Sequence, residues 1–173
     1  MRALLLSAAL GVAFTARAQS NPAPAAGDTA PTATSILGEL HAADLTEIQE
    51  GKLAEEKGTS SKTKAFGKML VKDHTSADAM VKKEAKRLDI TLSDTIPAAQ
   101  QSEIDDLRSS TDFDSAFARD EAAGHAKVIA DAEAAKKAIS DKSVDKLIGK
   151  VLPKLHKHEK EAEKLEKSST KTS

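Results

Sequence analysis

The chain has 173 residues, with 26 basic and 27 acidic side chains and no Cys, Trp or Tyr. Without Cys there can be no disulfide, thiolate zinc site, iron–sulfur cluster, cysteine nucleophile or lipidated cysteine. A near-balanced charge is not the footprint of a nucleic-acid binder, and four Phe as the only aromatics leave no stacking platform for bases or sugars.

At the N-terminus, Arg2 precedes an apolar run that reaches Phe14, and Ala16-Arg17-Ala18 places small residues at both recognition positions of a processing site. Residues 1–18 therefore read as a cleavable secretory signal, since the run is short for a membrane span. Cleavage would remove Arg2 and Arg17, leaving 24 basic and 27 acidic residues and a net charge of −3. The expected location is the periplasm or the secreted fraction, with no integral membrane insertion after cleavage. Residues 19–34 carry Pro22, Pro24 and Pro31 among Ala, Thr and Asn. They lack the large apolar groups that offset ordering entropy, so a disordered linker is expected. Residues 35–167 are long enough for one domain with one core, before a short disordered tail, 168–173.

From Ser35 onward Ala, Lys, Glu and Leu dominate, without a strand pattern. The first predicted helix covers Ser35–Lys57, stops at Gly58 and carries Glu47. Thr59 or Ser60 can cap the second, in which Phe66, Leu70, His74, Ala77, Val81, Ala85 and Leu88 recur at spacings of three and four, the signature of one helical face. Asp89 to Pro97 breaks the pattern, and a short helix fits Ala98–Ser109. Asp112 is a good N-cap for the third long helix, to about Ile139, with the stripe Phe117, Glu121, His125, Val128, Ala132, Ala135 and Ile139. Ser140-Asp141 starts the fourth, whose face reads Val144, Ile148, Val151, Leu155, His158, Ala162 and Leu165. Pro153 should kink it by removing a backbone donor. His156 falls on the outer side with Asp145 and Glu163.

Two short connections and one long one predict an all-α fold: two antiparallel hairpins joined by a crossover that holds a short helix. That is the ferritin-like variant of a four-helix bundle. At about 1.5 Å rise per residue, Glu47 is level with His74 and Glu121 with His158 to within a turn, and His125 is one turn from Glu121. The polar residues on the core stripes should therefore share one or two adjacent layers.

Glu47, Lys72-Asp73-His74, Phe113-Asp114 with the later His125, and Leu152-Pro153-x-Leu155-x-x-His158 resemble, in order and spacing, a bacterial family known as domain of unknown function 4142. The resemblance covers residues 35–167. It implies a ferritin-like fold and carries the label of a predicted outer membrane protein, with no established activity. In this chain Gly124 stands before His125, where the family often has an acidic or other polar residue that could orient the ring.

The polar layer has two readings. Glu47, His74, Glu121, His125 and His158 can form a buried hydrogen-bond network, because leaving such a group buried and unpaired costs about 1–3 kcal/mol. Alternatively, two or three of the imidazoles and a carboxylate form a mononuclear site suited to Zn²⁺, Cu²⁺ or Ni²⁺, with Asp73 or Glu159 holding the rings. A di-iron centre needs two Glu-x-x-His motifs, but the residues three before His74, His125 and His158 are Val71, Ala122 and Leu155. The first functional expectation is an exported, non-catalytic bundle with an envelope or stress-related role. The alternative is a metal-dependent enzyme of unrecognised type using the same layer. Residues 61–88 are rich in Lys, and Lys142, Lys146, Lys150, Lys154 and Lys157 line one face of the last helix; these faces suit electrostatic contact with an anionic envelope surface.

Overall fold

A computed structural model describes residues 31–169, which contain five helices and no strand: α1 (Ala33–Lys57), α2 (Ser61–Arg87), α3 (Ala98–Ser109), α4 (Phe113–Ala138) and α5 (Lys142–Ser169). The expected signal and most of the expected linker lie outside the described residues. α1 begins two residues before the expected Ser35 because Thr32 caps it. The Thr32 hydroxyl accepts from the Ser35 amide at 3.1 Å, and the Thr32 amide donates to Ser35 Oγ at 3.0 Å. Ser60 caps α2, accepting from the Thr63 amide at 3.0 Å, and Asp112 caps α4. α5 continues past the expected Lys167 end to Ser169 and stays helical on both sides of Pro153.

The connections are fixed by side chains. Asp114 at the start of α4 accepts from the Thr59 amide at 2.9 Å, the Ser60 amide at 2.8 Å and the Thr59 hydroxyl at 2.8 Å. One carboxylate thus binds the α1–α2 turn to the second hairpin. α2 ends with Asp89 at φ 55°, and the Ile90 amide returns to the Ala85 carbonyl at 2.9 Å. This is a left-handed C-terminal cap that Asp, with its short polar side chain, tolerates.

Contacts across helix pairs match rising numbers with falling ones. Between α1 and α2, Asp44 meets His74 and Gly51 meets Gly67; between α2 and α5, Asp73 meets His158 and Glu84 meets Ser143. Between α4 and α5, Lys136 meets Asp145 and His125 meets His158. These pairs are therefore antiparallel, so α2 and α4 point the same way. The segment between them has to travel back along the molecule, which is the course that residues 88–112 take. Ile90 and Leu92 pack at one end, and Ile104 and Leu107 of α3 are buried at the other.

Two glycines decide how closely α1 and α2 approach. A Cβ on Gly67 would lie 2.5 Å from the Gly51 carbonyl oxygen and 2.7 Å from Ala54 Cβ. Helix propensity would favour Ala over Gly by about 1 kcal/mol, yet here the backbone contact overrides it.

The core comes in two apolar clusters. One contains Ile36, Leu37, Val81, Ile129, Val144, Ile148 and Val151. The other contains Leu53, Phe66, Leu70, Ile104, Phe113, Phe117 and Leu165. The predicted stripes of α2 and α5 are buried as their spacing implies, apart from half-buried Leu88, whereas on α4 the stripe drifts from Val128 to the buried Ile129. Between the clusters, at mid-height, lie the polar residues. Among the described residues no helix is long and apolar enough to cross a membrane.

Candidate metal centre

α2, α4 and α5 each send one imidazole to the centre of the molecule, and α1 supplies carboxylates. His74, His125 and His158 are 4%, 0% and 1% exposed. Their ring centroids form a triangle with sides of 5.8, 5.1 and 5.3 Å. One nitrogen from each lies within 4.8 Å of the other two.

On each ring one nitrogen is engaged. His125 Nδ1–H donates to the Glu121 carbonyl at 3.0 Å. A carbonyl only accepts, so in the neutral ring the lone pair sits on Nε2. His158 Nε2 is 3.1 Å from Asp73 Oδ2, and Lys154 donates to the other oxygen of Asp73 at 2.9 Å. Although burial opposes it, hydrogen bonds from Lys154 and His158 hold the Asp73 carboxyl below its ordinary value. It is thus a carboxylate that accepts from Nε2–H, and the His158 lone pair sits on Nδ1. His74 Nδ1 is 2.8 Å from Asp44 Oδ1. Burial, then the charge of Asp78, push Asp44 up to about 8 against the pull of His41. The contact therefore runs in either direction, and an ion on Nε2 would select ionised Asp44 as acceptor. His74 Nε2, His125 Nε2 and His158 Nδ1 have no hydrogen-bond partner among the described residues.

Burial lowers the pKa of His74, and lowers that of His158 to about 4 against the hydrogen bond to Asp73. Both are thus neutral imidazoles, the ligating form, at neutral pH. They line a cavity of about 20 Å³ together with Asp44, Glu47, Asp73 and His125, closed by Ala77, Val81, Val151 and Leu155.

Glu47 stands beside the triangle, with Oε2 3.9 Å from His74 Nε2 and Oε1 3.7 Å from His125 Nδ1. Its carboxyl is raised to about 7 by burial and by Glu121, against His125 and His74. Glu121 is 3% exposed, with Oε2 3.3 Å from His125 Nδ1. Burial, followed by the charge of Glu50, raises it well above the ordinary range. All five residues expected in the polar layer are thus brought together, although Glu121 does not line the imidazole cavity. His156 is outside, its side chain 44% exposed between Glu133 at 3.7 Å and Glu159 at 3.6 Å. Of the two carboxylates expected to orient rings, Asp73 does so and Glu159 faces His156 instead. A Cβ on Gly124 would meet nothing within 4 Å; His125 takes its orienting bond from its own helix and loses nothing there.

Two groups are not legible from the sequence as site residues. Asp44 holds His74, and His41, 1% exposed, is 2.5 Å from Asp78 and 3.4 Å from Asp94 of the crossover. Their signal lies in α1, where His41, Asp44 and Glu47 follow one another at spacings of three after the buried Leu37.

Neither a curated protein nor a solved structure matches the chain. Residues 18–165 match a family model, and the chain belongs to that family, which is described as a domain of unknown function, DUF4142.

Proposed function

We propose that this protein is an exported, non-catalytic ferritin-like four-helix bundle that binds one divalent transition metal on His74, His125 and His158 in the periplasm. The bundle reading is supported by the antiparallel pairs and by the long return between α2 and α4. Export rests on the sequence of residues 1–18.

One observation carries the metal. Three buried imidazoles each have one nitrogen engaged and the other unpartnered among the described residues, and all three rings line a common cavity. A network serving only itself would pair those nitrogens, because an unmade buried hydrogen bond costs about 1–3 kcal/mol. Ligating histidines nearly always show the arrangement seen here, with the far nitrogen donating to a carboxylate or carbonyl. Three imidazole nitrogens with Glu47 as a nearby oxygen suit Zn²⁺, Cu²⁺ or Ni²⁺, and a zinc ion at about 2.0–2.1 Å from each nitrogen would draw the rings together. Binding should release protons from Asp44 and Glu47, both held above their ordinary values.

Elemental analysis of protein purified from the periplasm, combined with thermal unfolding across divalent ions, tests this. A ligand at about 100 times its dissociation constant adds about 2.7 kcal/mol of stability. That gain should appear with one of these ions and vanish in His74→Ala and His158→Ala. Metal-free protein that no divalent ion stabilises would sink the proposal.

A further inference from the structure

Glu121 is not accounted for by the imidazole cavity. Its side chain is 2% exposed, and both carboxylate oxygens lack a hydrogen-bond partner among the described residues. It lines instead an open cleft of about 680 Å³ between α1, α3 and α4, together with Glu47, Glu50, Glu103, Asp106 and Asp120. Two cations border this cleft, and both turn to other carboxylates: Arg119 lies 3.1 Å from Asp120, and Lys127 lies 2.7 Å from Asp131. Among the described residues no Lys or Arg is paired with Glu121, Glu47 or Glu50; the two glutamates of the polar layer, Glu47 and Glu121, have imidazoles of His74 and His125 nearby.

Burying carboxylates together with no Lys or Arg paired to them is costly, and cation coordination is one way of relieving it. Oxygens of Glu47 and Glu121 come within 4.8 Å of each other, and Glu50 follows Glu47 one turn later on α1. We propose that the floor of this cleft is a second cation site, at which Glu121, Glu47 and Glu50 hold a hard divalent cation of the Mn²⁺, Mg²⁺ or Ca²⁺ class through carboxylate oxygens and retained water. An all-oxygen donor set favours such ions, whereas the three imidazoles favour the borderline metals. The open cleft leaves room for the water that Mg²⁺ and Mn²⁺ keep, which the cavity of about 20 Å³ does not. None of the three unpartnered ring nitrogens is needed; Glu47, which lines both the imidazole cavity and this cleft, is the residue the two sites have in common.

The test is titration of the full chain with Mn²⁺, followed by loss of the aqueous Mn²⁺ electron paramagnetic resonance signal. Wild type should bind Mn²⁺. His74→Ala/His158→Ala should bind it with an affinity within about threefold of wild type, and Glu50→Gln/Glu121→Gln should weaken it by about tenfold or more. The second variant should keep any Zn²⁺ binding to the imidazoles. Circular dichroism checks folding, and Glu50→Gln alone, at a half-buried position, carries the comparison if the double variant does not fold. Mn²⁺ affinity unchanged by these Gln substitutions, or no Mn²⁺ binding by wild type at millimolar concentration, would overturn the proposal. Failure of Zn²⁺ to bind wild type would remove the imidazole site and leave this one standing.

Discussion

The apolar cluster around Phe66 and Phe117 and the adjoining polar layer are built by the same helices at the same spacing. In the cluster, Phe117 is fully buried, with ring centroids 5.7 Å from both Phe66 and Phe113. In the layer, Glu47, His74, Glu121, His125 and His158 all carry buried atoms with no hydrogen-bond partner among the described residues. Each such group costs about 1–3 kcal/mol relative to a paired one. The cluster stabilises the fold as it stands; the layer draws on that stability. Apolar side chains in its place would serve folding better, which points to a ligand as the reason for the polar ones.

The largest expected effect comes from the cluster. Phe117→Ala should cost about 3–5 kcal/mol, by lost burial and by the cavity left behind, measured from urea unfolding. The loss should be the same with and without added metal. A loss that metal addition repaired would mean that the two regions are not separable.

The layer should make stability depend on pH in two opposite senses. His158 is held at about 4 against an ordinary 6.5, and His74 is displaced in the same direction. The unfolded chain therefore protonates first as pH falls. Their contribution is complete above pH 6.5 and is lost as pH drops toward 4, by about 3 kcal/mol for His158 alone. Glu47 at about 7 and Glu50 at about 9 lie above an ordinary 4.5. The folded state keeps protons that the unfolded chain has released, so the stability they confer is complete below 4.5 and is lost as pH rises through 7 and 9. Metal-free protein should thus be most stable in the mildly acidic range where the two trends cross. His158→Gln should flatten the acid limb and Glu47→Gln the alkaline one. A flat profile from acid to alkali would show that the layer titrates as if in water.

A smaller effect isolates one orienting carboxylate. Asp73→Asn leaves His158 in place but replaces an ionised acceptor, also bonded to Lys154 at 2.9 Å, by a neutral amide. Metal affinity should fall by about 10–100-fold, while stability of the metal-free protein changes by about 1 kcal/mol or less. Calorimetric metal titration and urea unfolding separate the two. An affinity equal to wild type would leave Asp73 a structural ion pair only.

Helices with a strong apolar stripe are legible in the sequence to within a few residues. α2 and α5 bury the very series that recur at three and four, and Asp112 and Ser60 cap where turn chemistry places them. α1 is harder because its inward side carries His41, Asp44 and Thr46 where an apolar repeat would continue. His41 and Asp44 escape notice for that reason, and their partners Asp78 and His74 come from another helix. The glycine contact at Gly51 and Gly67 is also hidden, since a glycine in a helix signals close approach only once its neighbour is known. In α4 the helical period of about 3.6 residues carries the buried face from His125 to Ile129 rather than Val128. The division of labour between Glu47 and Glu121 depends on which cavity each lines, and a one-dimensional stripe does not contain that.

The smallest expected effect is the sharpest control. His156 and His158 are two residues apart on α5, about 200° around a helix that turns about 100° per residue, and so they face opposite ways. His156 is 44% exposed and sits 3.7 Å from Glu133 and 3.6 Å from Glu159, a surface pairing of the kind worth about 0–1 kcal/mol. His156→Ala should therefore change stability by about 0.5 kcal/mol or less and leave metal affinity unaltered. His158→Ala, which also removes one imidazole, should abolish the affinity altogether. The competing site is specific: His156, Glu133 and Glu159 form a solvent-facing group between α4 and α5 that would capture a metal ion weakly, as exposed clusters do. If His156→Ala abolished binding while His158→Ala spared it, the ion would belong to that surface group. The three buried imidazoles would then have to be explained by packing alone, despite the penalty that their unpartnered nitrogens imply.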